Sequence, residues 1–266
     1  MSWERLVRKR ESSGSYAHRI WRSWGKYVAV AVITVILTSS LFPVLGNRSE
    51  SLPIRYVGGN GLEADVAILP DGSRVSLGSK TNFYCDAHYG DKDRVVYLEG
   101  EAYFEVAKEK DKPFIVKVKG QDIEALGTKF NVMAYPKDSL FITTLQEGCV
   151  KLTTLDLSKP MFLKPDHQFV YNRCTHAASI TRVDANQFIS WTSGYYYFPE
   201  QTLEAILYRL GHVYGIDFSV KSERLNKQIF TGTFYRGQSP KNIMEIINLS
   251  IPIKYEIDEH KVTLWE

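Results

Sequence analysis

Between Ile68 and Pro136 the chain runs in short stretches of alternating apolar and polar residues, and a glycine preceded by a charged residue interrupts each of them. The stretches are ILPDGSRVSL, VVYLEGEAYFEV and KPFIVKVKGQDIEALGTKFNVMAYP, with breaks at Asp71-Gly72, Glu99-Gly100 and Lys119-Gly120. A period of two sends alternate side chains to opposite faces of a strand, and glycine supplies the positive φ of a tight turn. The pattern predicts β-hairpins, with Gly100 as a turn between Glu99 and Glu101. Gln146-Glu147-Gly148 and Pro165-Asp166-His167-Gln168 carry the same signal, and no helical period intervenes before Asn172. Many short strands at this spacing predict an all-β antiparallel sandwich or jelly-roll-like domain over residues 64–177.

The pattern changes after a connector expected at 178–190. Leu203, Ile206, Leu207, Leu210 and Val213 recur at intervals of three and four, which makes an amphipathic helix. Thr202 or Glu200 stands where a cap belongs, and Gly215 where the helix would end. Ile216–Val220 then alternates as a strand. A second unit follows, with a strand at Ile229–Tyr235 and a helix opened by Ser239-Pro240. Proline in a first helical turn gives up an N–H that had no partner there. Strands at Ile253–Ile257 and Val262–Trp265 finish the chain. Residues 191–266 therefore read as a small α+β domain with two strand-helix-strand units covering one sheet.

Upstream, Tyr27–Leu45 reads YVAVAVITVILTSSLFPVL, without a charge. At ~1.5 Å of rise per residue it just crosses a hydrocarbon core of ~30 Å. Arg5, Arg8, Lys9, Arg10, Arg19, Arg22 and Lys26 precede it, which sets a cytoplasmic N-terminus. Such a basic cluster is also a nucleic-acid footprint. Its place directly before an apolar run favours membrane orientation instead, and no nucleic-acid partner is expected. A cleaved signal peptide is the alternative, but no A-x-A site closes the run. The expected order is a short basic cytoplasmic segment (1–26), a transmembrane helix (27–45), a linker (46–63) and then the two domains. Three cysteines, Cys85, Cys149 and Cys174, lie beyond the span; they allow one disulfide, and their spacing does not choose the pair. Buried free thiols are the simpler reading, with Cys149 inside the hairpin ITTLQEGCVKL.

Catalytic patterns are missing. Glu99, Glu101 and Glu105 invite a paired-carboxylate reading, but charges on the wet face of a hairpin explain them. The six histidines form no H-E-x-x-H and no zinc-spaced set with cysteine. His167 and His176 come nearest to pairing, across a hairpin. There is no nucleophile elbow, phosphate loop or dinucleotide fingerprint. No enzyme activity, metal or cofactor is expected. Binding is the remaining class. Ile216, Phe218 and Val220 lie on a candidate edge strand, as does Val262–Trp265, and open edges accept a partner's strand. Tyr195 and Tyr197 belong to an aromatic run whose alternate members face the core or an interface.

Leu69–Val75 (LPDGSRV), Leu98–Val106 (LEGEAYFEV) and Leu126–Val132 (LGTKFNV), in this order, resemble the periplasmic domain of FecR-like regulators, which are inner-membrane anti-sigma factors of Gram-negative bacteria. The C-terminal part, with Trp191-x-x-Gly194 and Phe198, is similar to the C-terminal domain of Bacteroidetes-type FecR proteins. That domain is itself similar to the short signalling domain of secretins and TonB-dependent receptors. The resemblance implies a single-pass inner-membrane regulator with both folded domains periplasmic. Its implied partners are the signalling domain of an outer-membrane TonB-dependent transducer and a cytoplasmic extracytoplasmic-function sigma factor. Family members carry a helical sigma-binding domain of several dozen residues before the span. Here Trp3-Glu4-Arg5-Leu6-Val7 looks like its tail, so Trp3 and Leu6 join the candidate contacts. Either the start lies upstream or the sigma-binding head is lost. The rival expectation is a membrane-tethered scaffold or sensor without sigma binding. A periplasmic carbohydrate-binding or hydrolytic module would need an aromatic platform or a carboxylate cleft.

Overall fold

The structure, a computed structural model, describes residues 55–58 and 64–266. The expected membrane span and the candidate residues Trp3 and Leu6 lie outside the described residues.

The first domain is all β. Its strands are β1 (Arg55–Val57), β2 (Asp65–Ile68), β3 (Arg74–Leu77), β4 (Asn82–Cys85), β5 (Arg94–Glu105), β6 (Phe114–Val118), β7 (Gln121–Ala125), β8 (Lys129–Ala134), β9 (Leu140–Glu147), β10 (Val150–Thr154), β11 (Met161–Leu163), β12 (His167–Asn172) and β13 (Ala178–Arg182). They form two sheets that share β5. One sheet runs β1-β4-β5-β6-β7-β10-β11 and the other β2-β3-β5-β8-β9-β12-β13. With β11 of one sheet lying against β12 of the other, the domain is a nearly closed barrel. Nearly every pairing is antiparallel; β5 with β6 is the parallel exception in this domain.

Gly100 does not make the expected turn. It lies inside β5, where its φ of +125° bends one continuous strand from the first sheet into the second. A Cβ there would meet the Thr81 Cα at 2.8 Å, so glycine is required by space as well as by conformation. The other breaks do turn the chain: Gly72 between β2 and β3, Gly120 between β6 and β7, and Gly148 between β9 and β10, all at positive φ.

The alternation read from the sequence builds the core. On β6, Phe114, Val116 and Val118 face inward while Ile115 and Lys117 do not. Phe83, Phe104, Phe114, Phe130, Phe141 and Phe169 are fully buried, and Phe104 stacks on Phe130 at 5.0 Å between centroids. Each such side chain contributes about 1.5–3 kcal/mol on burial. The Asp71 turn has a second task. Asp71 accepts from Ser73 through its backbone N–H and hydroxyl, and from the buried Arg94 guanidinium at 2.6 Å. Arg94 also donates to the carbonyls of Lys112 and Ala107. Burial pushes the Asp71 carboxyl up, but the Ser73 and Arg94 hydrogen bonds outweigh it and hold the group below its ordinary value.

Residues 178–190, expected as a connector, carry β13 and a short helix α1 (Ala185–Ile189) capped by Asp184. After a 3-10 turn (Ser190–Ser193) the second domain comprises β14 (Tyr195–Thr202), α2 (Leu203–Tyr214), β15 (Asp217–Val220), α3 (Glu223–Asn226), β16 (Ile229–Tyr235), α4 (Pro240–Ser250), β17 (Lys254–Asp258) and β18 (Lys261–Trp265). Thr202 caps α2 by accepting from the Ala205 N–H, and Ser239 caps α4 through the Asn242 N–H. The two strand-helix-strand units are present, but they feed two small sheets instead of one. β14 pairs with β16, and β18 lies between β15 and β17. Val262–Trp265 is thus a central strand, not an edge; β15 and β17 are the edges. The cause is the final hairpin, which inserts β18 beside β15 in parallel.

Of the cysteines, Cys85 is buried, while Cys149 and Cys174 are exposed. Cys149 follows the turn glycine, so its side chain leaves the core that Val150 enters. Burial pushes the Cys85 thiol up to about 11.

Candidate partner-docking site

Polar residues of two of the β-domain sequence runs, Leu98–Val106 and Leu126–Val132, meet the C-terminal domain at a seam. On the outer face of the second sheet, β5 places Tyr103 and Glu101, and β8 places Asn131 and Met133. The C-terminal domain covers them with Trp191, β14 and α2. Glu101, expected on a wet hairpin face, is buried and accepts from Arg209 at 2.5 Å and from Asn131 at 2.9 Å. Asn131 in turn accepts from the Trp191 indole N–H at 3.1 Å. Arg209 also lies over the Tyr196 ring, and Arg236 over Trp191. Burial pulls the Arg209 pKa down, but the Glu101 carboxylate more than offsets this and keeps it above its ordinary value. Glu99 is exposed and Glu105 pairs with Arg74, so the three carboxylates never meet.

A second clasp lies at the β8–β9 loop. Asp138 accepts from the Tyr208 hydroxyl at 2.5 Å and contacts His212 Nε2 at 2.9 Å. The His212 ring stacks on Tyr135 at 4.1 Å with 7° between planes. Burial first, then the Asp138 carboxylate, push the Tyr208 hydroxyl up, so it stays protonated and donates. His176, a candidate partner for His167, contacts Asp156 and Tyr171 instead.

Beside this clasp opens a groove of about 870 Å³. One wall is α2 with Leu207, Tyr208, Gly211 and His212; another is the β-domain loop Tyr135–Asp138 with Lys80. The floor is β15. Of the expected contacts here, Ile216, Phe218 and Val220 all line the groove; Phe218 and Val220 are half-buried, and Ile216 is buried and also packs into the domain core. Tyr195 and Tyr197 are exposed on β14, since Tyr196 and Phe198 take the inward positions. Tyr195 lies opposite Tyr235 on β16. Tyr197 lines a different cleft, of about 520 Å³, with Phe188, Phe198 and Pro199. The candidates therefore fall on two surfaces, separated by Glu204 and Tyr208 of α2, which touch both. Sequence reasoning missed Lys80, Tyr135, Pro136 and Lys137. They are distant in sequence from β15, and no local pattern marks them. Among the described residues, no group of histidine, cysteine, aspartate and glutamate is arranged to hold a metal ion.

Residues 55–151 match the family model described as FecR protein, and residues 195–264 match that described as FecR, C-terminal. Together these matches cover more than half of the chain. The chain belongs to the FecR family. Two crystal structures of a candidate anti-sigma factor from Parabacteroides distasonis ATCC 8503 share its fold. The one at 1.65 Å is 26% identical with a TM-score of 0.69, over 80% of this chain and 99% of that one. The one at 2.50 Å is 26% identical with a TM-score of 0.68, over 81% and 99%. No curated protein sequence matches. The FecR chain thus carries the signalling architecture of a non-catalytic family of regulators.

Proposed function

We propose that this FecR chain is an inner-membrane regulator that receives a periplasmic signal through its C-terminal domain. The signal comes from the signalling domain of an outer-membrane TonB-dependent transducer, and the regulator passes it to an extracytoplasmic-function sigma factor. The reading places residues 1–26 in the cytoplasm, 27–45 across the membrane, and the domains at 64–177 and 191–266 in the periplasm. The observation that carries it is the pairing of FecR and FecR C-terminal modules joined by the buried Glu101–Arg209 clasp. A contact on the second module is thereby felt by the first, which leads back to the N-terminal segment. No ligand chemistry is needed, because the message is a protein contact.

The test is transcriptional. In the host, the complete gene is removed and then replaced by a copy lacking residues 191–266, while promoters dependent on extracytoplasmic-function sigma factors are followed. A relay predicts changed basal transcription on removal, and loss of the inducible response in the truncated copy. Unchanged transcription in both strains would leave the membrane-tethered scaffold as the better account.

A further inference from the structure

We infer that the open edge of β15 is a strand-docking site: the partner inserts an extended segment that adds a fourth strand to the β15-β18-β17 sheet. The inference rests on the relay reading above and specifies where its contact is made.

The backbone determines the kind of occupant. The Asp217 N–H donates to the His260 carbonyl and the Lys221 N–H to the Leu264 carbonyl, so these residues face β18. Strand geometry turns every second residue the same way, so Ser219 also faces β18. Phe218 and Val220 then direct their N–H and C=O groups to the opposite side, where β15 has no neighbouring strand among the described residues. Phe218 and Val220 are also lining residues of the groove. A row of unpaired donors and acceptors at strand spacing is satisfied in full by another extended backbone, and by few other ligands. The groove's 870 Å³ is within the ~300–1,000 Å³ of ordinary binding sites.

The walls determine the side chains. Phe218, Val220 and Leu207 offer apolar contact at the floor. Lys80 and Lys137 stand on the β-domain wall, and neither has a carboxylate partner among the described residues. Asp138, the nearby carboxylate of that wall, is engaged by His212 and Tyr208. Glu204 of α2 and Asp217 at the start of β15 also line the groove. The complementary strand therefore has an apolar residue toward the floor, a carboxylate toward Lys80 and Lys137, and no carboxylate toward α2. Such a strand touches both domains at once, and its β-domain contact is the loop that holds the Asp138–His212 clasp. A second copy of this chain and its own residues 46–54 are the competing occupants.

The experiment uses the full chain in host membranes, with the photo-crosslinker p-benzoylphenylalanine installed in place of Phe218 and, separately, of Tyr197. Crosslinked peptides are read by mass spectrometry. Beside this, Val220→Pro removes an outward N–H, which edge strands tolerate, and Phe218→Lys places a charge on the edge. The expected result is a Phe218 crosslink to a strand of a TonB-dependent transducer's signalling domain, and at least a tenfold loss of the inducible response in both variants. If Val220→Pro fails to accumulate, Phe218→Lys decides alone. A transducer crosslink from Tyr197 with none from Phe218 overturns the edge assignment and leaves the relay intact. A Phe218 crosslink to this chain or a second copy overturns the partner. No transducer crosslink from either position overturns both, as does an unchanged response in the variants for the edge alone.

Discussion

Replacing Glu101 with leucine should uncouple the two domains. The Glu101 side chain is 3% exposed and that of Arg209 15%, so the change leaves a guanidinium with little access to water and no anion. Removing one member of a buried pair costs about 3–5 kcal/mol, because the remaining charge is uncompensated. For a protein of this size ~1 kcal/mol moves the melting temperature by about 2–4 °C, so a fall of roughly 6–20 °C is expected. The double variant Glu101→Leu with Arg209→Met removes both charges and keeps most of the volume. It leaves the Asn131 amide without its Glu101 acceptor, at about 1 kcal/mol. It should therefore recover to within a few degrees of the parent. Calorimetry of residues 51–266 provides the assay. The parent should melt in one transition, and Glu101→Leu should split it into two, because the seam fails before either core. The reasoning is refuted if the single variant melts within 2 °C of the parent, or if the double variant is as poor as the two single losses combined.

Three other outcomes follow from the geometry. Gly100→Ala should cost at least ~2–3 kcal/mol in chemical denaturation, since both its φ and the Thr81 backbone oppose a Cβ. A thiol reagent at pH 8 should label Cys149 and Cys174 in the native protein and spare Cys85, whose thiol is buried and pushed up to about 11; denaturant should release the third site. Asp71 has a folded pKa below its unfolded value, so its contribution is complete above about pH 4 and is lost as pH falls through the folded pKa. Asp71→Asn should therefore lower stability at pH 7 and flatten the acid limb of a pH–stability curve.

The local grammar of this chain was readable from its residues, and its long-range pairings were not. The β2–β3, β6–β7 and β9–β10 turns, the α2 stripe and both helix caps are events between near neighbours, and each is written in a few consecutive residues. Gly100 carries the same local signal as a turn, yet its role is decided by Thr81 and by the sheet on either side of it. Likewise, nothing in the β18 residues says that they lie between two strands; only the partners do. Half of the candidate docking surface was legible. The alternation at Tyr195–Phe198 and the apolar residues of β15 were visible, while the burial of Ile216, which lines the groove as well as the core, was not. The walls come from Lys80 and Tyr135–Asp138, which belong to another domain. Glu101 shows the limit most plainly, since the group that explains it is 108 residues away.

The shared strand β5 also bears on how this fold can vary. Most strands in a barrel have neighbours from one sheet, and a length change in them disturbs one register. Before Gly100 the residues of β5 align to β4, β6 or both, and after it they align to β8 and, from Ala102, also to β3. An inserted or deleted residue would invert the inside and outside of one sheet relative to the other. Natural length variation and tolerated peptide insertions should therefore accumulate at hairpin tips such as 156–160 and be absent from 94–105, and a library of random insertions would map β5 as the segment of the β domain that cannot change length.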